Sequence, residues 1–302
     1  MRYSHLLSSV LYGKWLILPQ SAFSQEVIVD RLLSRQYDPE IHSKVLSESK
    51  PFSVLVGMSE TGAKESLFDS VPEESTAIIN LSGTMLKYGT WCGYGTTEIA
   101  EALLKAGRHQ NIGSIVLNID SGGGAVDSIA PLADAILEVQ ALGKSVVASV
   151  DLCASAAYFV ACHCDEIIAG NNISAEIGSI GVMMSFMDRS KYYEKEGVVR
   201  HVIYSNLSEY KNRPFELALK RQYDEIKTEE LDPLARSFQD TVRSRRGDKL
   251  KEETPGILQG RMFFAGDAKE NGLIDRVASM DVAINRAREI RETKIIEQYI
   301  NS

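Results

Sequence analysis

From residue 76 onward the chain alternates compact β-branched runs with stretches of helical period. Residues 76–81, 114–119, 145–150 and 166–169 are short and almost wholly apolar, the pattern of strands covered on both faces. Between and after them, residues 96–105 (opened by Thr97), 126–139, 154–161 and 189–195 read as helices. Strands alternating with helices predict parallel βαβ units and an α/β fold. Further on, 177–186 is apolar and extended, 198–204 reads as another strand, 217–246 as one long polar helix, and 280–300 as a charged helical tail. Residues 1–75 differ. They hold short amphipathic pieces such as 27–33, with polar connectors at 47–51 and 72–75, and predict an arm or accessory segment. The expected organisation is therefore an arm over 1–75, one α/β domain over 76–278 and a helical tail over 279–302.

Composition narrows the function. The chain has 302 residues, 44% of them hydrophobic, enough for a sizeable core. Its net charge of -8 speaks against sequence-independent nucleic-acid binding, which needs clustered Lys and Arg. The one basic cluster, Arg243–Arg246 with Lys249 and Lys251, lies in a polar helical stretch and reads as a solvated face. The apolar run 6–18 is broken by Ser8, Ser9, Gly13 and Lys14 and is too short to span a bilayer, so a cytoplasmic protein without a membrane span is expected. The four cysteines, Cys92, Cys153, Cys162 and Cys164, lack the spacing of a disulfide framework. Cys162-His163-Cys164 does not match zinc spacing either, so no metal is expected and the cysteines read as buried thiols in a reducing compartment.

Three segments carry candidate chemistry. Ser121-Gly122-Gly123-Gly124 follows a buried strand and precedes a helix. Glycines there allow a nest of N–H groups that suits a phosphate or a developing oxyanion. The letters fail the P-loop, because Ala125-Val126 replaces Lys-Ser/Thr, and fail the dinucleotide fingerprint at Asp127. An oxyanion hole or an ordinary glycine turn remain. Ala154-Ser155-Ala156-Ala157-Tyr158 opens a helix directly after a strand. Ser155 is then either a helix cap or a nucleophile, accessible between small residues and with the Ala156 N–H beside it. Lys211, in Ser208-Glu209-Tyr210-Lys211-Asn212-Arg213-Pro214, is by itself an ordinary surface charge.

In this order, Ser121–Gly124, Ala154–Tyr158, Gly178-Ser179-Ile180-Gly181, Lys211 and the late Gly260-Arg261…Gly272-Leu273-Ile274-Asp275 run resemble the signal peptide peptidase A family of serine peptidases. The resemblance covers roughly 76–277 and implies a ClpP/crotonase-like fold. It implies a Ser–Lys dyad of Ser155 and Lys211, an oxyanion hole from Gly123 and Ala156, and peptide binding at Gly124, Gly178 and Ser179. It also implies a protein or peptide substrate, no cofactor, and a homo-oligomeric ring with the sites facing inward. Gly122 stands where the family has Pro, and Ala156-Ala157 where it has Gly-Gly; neither change removes a catalytic group. The segments 3–18 and 212–216 are closer to the phage branch, which acts in capsid maturation, so phage capsid proteins and the prohead enter as expected partners and place.

The residues also bear on the base. A ClpP-type triad needs a His near 176–181, and none is there. His163 lies on the helix of Ser155, two turns on, and His201 inside the expected strand. A lysine serves as base only when neutral, which burial favours. Two alternatives share the fold: a catalytically silent capsid scaffold, and a crotonase-like acyl-CoA enzyme that would use glycine-rich oxyanion loops without a serine nucleophile.

Overall fold

The computed structural model describes residues 14–18, 68, 71–90, 93–186, 188, 190–199 and 201–300, together with the backbone of 52–54. Most of the expected arm, including 27–33 and the connector at 47–51, and also Cys92, lie outside the described residues.

The strands are β1 (Lys14–Ile17), β2 (Phe52–Val54), β3 (Ser75–Ser82), β4 (Ile112–Ser121), β5 (Gly123–Ala125), β6 (Ser145–Ala154), β7 (Glu166–Ala169), β8 (Glu176–Gly178), β9 (Met183–Met184), β10 (Met262–Phe264) and β11 (Arg276–Val277). The main sheet runs β10-β8-β6-β4-β3-β2, with β7 also on β6 and β11 on β7. Its centre, β3, β4 and β6, is parallel, as the alternation of strands and helices required. Strand β6 carries two neighbours on one edge: residues 147–150 pair with β7 and residues 152–154 with β8. A second sheet, β5-β1-β9, is antiparallel throughout.

The apolar runs are continuous because both faces of the main sheet are covered. On one face, helices α1 (Thr96–Arg108) and α2 (Ile129–Ala141) bring Leu103, Leu132, Ile136 and Val139 into one core with Ile79, Ile115 and Leu117. The intervening residues Ile78, Val116, Val147 and Ile168 point the other way, onto Ala283, Ile284 and Ala287 of the C-terminal helix (Met280–Ile300). The two-residue alternation of strand side chains thus builds two cores. No described helix is long and apolar enough to cross a membrane.

Four local expectations are corrected. Helix α1 is capped at Gly95, not Thr97: the Glu98 carboxylate accepts the N–H groups of Gly95 and Gly89 at 2.8 and 3.0 Å. The helix expected over 217–246 is broken. One piece, Arg213–Leu219, ends before Arg221, whose φ is 61°, and a π-helical turn, Lys227–Leu231, leads into Asp232–Arg246 with Pro233 in its first turn. Residues 198–199 and 201–204 form no strand; they pair with no strand among the described residues and stand largely in solvent. And Arg246 leaves the solvated cluster and turns inward.

That inward turn ties the late motif to the sheet. The Arg246 guanidinium donates two bonds of 3.0 Å to the Asp275 carboxylate and a third, of 2.7 Å, to Gly272 O. Asp275 also accepts the Ile167 N–H of β7 and the Lys249 ammonium, both at 2.8 Å. Burial would push this carboxyl up, but Arg246, Lys249 and the Ile167 N–H outweigh it and hold it down at about 2. Its stabilisation is therefore complete above the unfolded aspartate value of about 3.9 and is lost as pH falls towards 2. Asp275→Asn should lower the unfolding free energy near neutrality by about 3–5 kcal/mol, because Arg246 is left buried and unpaired. Urea titrations at stepped pH should show the gap to the parent chain narrowing between about pH 4 and pH 2.

Candidate active site

The carboxyl end of β6 delivers Ser155. The strand stops at Ala154 and helix α3 (Ala156–Ala161) begins one residue later, so Ser155 must turn the chain by itself. It does so at φ 56°, ψ −118°, a region that costs a non-glycine residue roughly 1–3 kcal/mol. Two backbone bonds hold it there: the Ser155 N–H donates to Gly178 O at 2.8 Å, and Phe159 N–H donates to Ser155 O at 2.9 Å. Ala154, Ala156 and Ala157 are fully buried around it, which is why the flanking positions are small. The hydroxyl makes no capping bond, so the helix-cap reading fails; its bond is a long one, 3.4 Å, to Gly181 O.

Ala156 and Gly123 stand next to this turn. The Ala156 N–H belongs to the first turn of a helix, where amides have no intrahelical acceptor, and no described hydrogen bond uses it. The place a Cβ of Gly123 would take is 3.0 Å from Ala156 N and 2.9 Å from Ala154 O. The glycine run is not a nest at a helix terminus. It continues as strand β5, pairing with β1 on one edge, while Ala125 N–H donates to Met85 O at 2.9 Å on the other. The Gly123 N–H donates to Ser121 Oγ at 3.2 Å. Gly124 is wedged between Leu16 and Met85, its missing Cβ falling 1.9 Å from Met85 O. Gly178 and Ser179 act through their backbones: Gly178 supplies the acceptor for Ser155 and pairs with Met262, and Ser179 N–H donates to Arg261 O at 3.0 Å.

Lys211 is not brought to this group. It is exposed in the turn before Arg213–Leu219, where its N–H donates to Ser208 O at 3.1 Å, and no described contact joins it to Ser155. The segment leading to it is open as well, with Val199 68% and Ile203 91% exposed.

Other candidates for nucleophile or base are occupied elsewhere. Burial pushes the Cys153 thiol well up and the Cys162 thiol up to about 12, so neither supplies a thiolate near neutrality. The His163 ring, whose pKa burial lowers, stacks on Phe159 and bonds through Nδ1 to Phe159 O at 2.9 Å. His201 is exposed in a segment without regular structure, not in a strand. Sequence reasoning missed two contacts: the Gly181 carbonyl beneath the hydroxyl, and Tyr158, fully buried, whose OH donates to Leu273 O at 2.8 Å. Tyr158 lies within the Ala154–Tyr158 motif, and a phenol on the buried face of so short a helix was the available signal.

Residues 138–294, just over half of the chain, match Peptidase family S49. The chain belongs to that family. This S49 member is 26% identical over 216 residues to "Protease 4" of Haemophilus influenzae, covering 71% of this chain and 34% of that protein. It is also 26% identical over 215 residues to "Head-tail preconnector protein GP5" of Enterobacteria phage P21, covering 71% of this chain and 41% of that one. It thus spans well under two thirds of either relative. Among solved structures, a membrane-bound stomatin-specific protease resembles it with a TM-score of 0.46 at 12% identity, over 72% of this chain and 86% of that one. Signal peptide peptidase A proteins are among the S49 chain's relatives, as its motifs implied, and its main sheet has the parallel α/β centre expected from the alternation of strands and helices.

Two stability measurements check the geometry. Ser155→Ala should change the unfolding free energy by less than about 1 kcal/mol in a chemical melt, since one long hydrogen bond is all it removes. Gly123→Ala should cost about 2–4 kcal/mol, because its Cβ would meet Leu16 O at 2.2 Å and φ is +93°.

Proposed function

We propose that this chain is a serine endopeptidase in which Ser155 attacks and Lys211 is the general base. The observation that carries the reading is the strained turn at Ser155 beside the unclaimed Ala156 N–H. A serine is held at such a cost where the fold needs its hydroxyl in one place. In the proposed reaction Ser155 Oγ attacks the scissile carbonyl carbon while its proton passes to neutral Lys211 Nζ. The Ala156 N–H receives the oxyanion, and the Gly123 N–H joins it by leaving Ser121 Oγ. Collapse of the tetrahedral intermediate breaks the C–N bond, the Lys211 ammonium protonates the leaving amine, and an acyl-enzyme ester remains. Water, deprotonated by Lys211, then hydrolyses the ester and frees Ser155.

For this to work Lys211 must reach Ser155 and lose its exposure. Assembly of copies over the exposed apolar run, Val198, Val199, Val202, Ile203 and Leu207, would bury that segment, which supports the ring-like homo-oligomer expected for the family. The phage preconnector relative supports a role in processing phage head proteins, with Gly124, Gly178 and Ser179 lining the peptide path. The second reading, a catalytically silent capsid scaffold on the same fold, is favoured by one observation: Lys211 stands apart from Ser155.

A fluorophosphonate probe should label the parent chain at Ser155 and leave Ser155→Ala unlabelled; absence of labelling in assembled protein would favour the scaffold. Ser155→Ala and Lys211→Ala should each lower kcat on the order of 10⁴-fold or more, and the double variant should be no worse than either. If the two losses multiply, the dyad is wrong. Activity should rise with pH along an acid limb that His163→Gln and His201→Gln leave in place, measured as kcat/KM against pH.

A further inference from the structure

Ser155 is fully buried, although the proposed reaction needs a peptide to reach it. Beside its turn runs the molecule's own β1. The point where a Cβ of Gly123 would sit is 2.2 Å from Leu16 O and 3.0 Å from Ala156 N, so the middle of β1 passes beside the turn that carries the hydroxyl.

The second sheet has an arrangement that bears on this. β1 is its central strand, and β5 and β9 flank it without pairing to each other. Each flank belongs to the site. β5 starts at Gly123, and β9 starts two residues after Gly181, whose carbonyl accepts from Ser155 Oγ. The outer edge of β5 is already taken by Met85. Adjacent strands lie about 4.8 Å apart, so the space between β5 and β9 is one strand wide. Residues 14–18 fill it in extended form. Lys14 and Trp15 pair with Met184 and Met183, Trp15 to Ile17 pair with Ala125 to Gly123, and Leu18 N–H donates to Gly122 O at 2.8 Å. Trp15, Leu16 and Ile17 are buried. Main-chain pairing is how a strand-adding peptide is bound; here the pairing runs along both edges, and side chains on both faces are taken into the protein.

We propose that residues 14–18 occupy the peptide groove of the site as a built-in competitor, and that an extended apolar substrate segment must displace this strand to reach Ser155. The inference rests on the peptidase reading above. β1 is suited to leave. It is four residues long, and local opening of so short a segment costs less than unfolding the whole domain. Its outer end is pinned by one partly exposed ion pair, Lys14 to Glu230 at 2.7 Å, on the π-helical turn Lys227–Leu231. That ion pair allows the strand to be loosened without touching the core.

The test uses the full chain and a fluorescent Lys-Trp-Leu-Ile-Leu peptide, the sequence of residues 14–18. In a Ser155→Ala background, which excludes turnover, Lys14→Glu should bind this peptide about tenfold more tightly than the chain with Lys14. The charge exchange Lys14→Glu with Glu230→Lys should return binding to the starting level. With Ser155 present, Lys14→Glu should be labelled by fluorophosphonate about tenfold faster than the parent, and the peptide should slow that labelling. Equal or absent peptide binding in all three chains overturns the proposal. So does loss of cooperative melting in Lys14→Glu, which would make β1 an obligatory part of the core. Peptide binding that follows the expected order while Ser155 is never labelled upholds strand displacement and sinks the peptidase reading instead.

Discussion

The hydrogen bond from Ser155 N–H to Gly178 O is the contact on which the site depends. Ser155 occupies a backbone region that a residue with a Cβ avoids, and it stays there only because its surroundings leave no other conformation open. Gly178 can serve as acceptor because β8 is locked between β6 and β10, and its own φ of 132° is one that glycine tolerates. On the far side, Tyr158 ties the serine helix to Leu273, and two residues on Asp275 is clamped by Arg246. Motifs more than a hundred residues apart in the chain thus converge on one turn, and the late run contributes support to it.

The sheet was legible where chemistry is repetitive. The β-branched runs that became β4 and β6 could be read because a strand covered on both faces has to be apolar throughout. The run at 198–204 is also rich in β-branched residues, yet 198–199 and 201–204 form no strand, since a strand needs a partner edge that composition does not reveal. The 217–246 helix broke for reasons its polar periodicity concealed: a left-handed residue at Arg221 and a proline opening the next helix. Arg246 looked like its neighbours in the basic cluster until the fold placed Asp275 opposite it.

At the site, the letters, read with the family resemblance, implied that Ser155, Gly123 and Ala156 lie together, and the fold does bring these three into one group. They could not report that Ser155 leaves the ordinary φ range, because serine carries no mark of it. Nor could they report that the glycine run would be extended, because three glycines are compatible with almost any backbone path. The part played by β1 was out of reach for a further reason. Residues 14–17 pair with segments more than a hundred residues away, and nothing in Lys-Trp-Leu-Ile names those partners. Lys211 is the opposite case: its motif was plain, yet a single chain leaves it in solvent.

Strand β6 is hydrogen-bonded along both edges, to β4 on one side and to β7 and then β8 on the other, and it ends at the serine turn. Its side chains alternate between the two cores, so a one-residue slip would exchange every inward and outward position at once. The hydroxyl can therefore sit only at discrete steps along the strand and cannot drift by fractions of one. In evolutionary terms β6 should accept substitution by other small or β-branched residues but no insertion or deletion. Changes in length are left to the mostly exposed connection at residues 170–174, between β7 and β8.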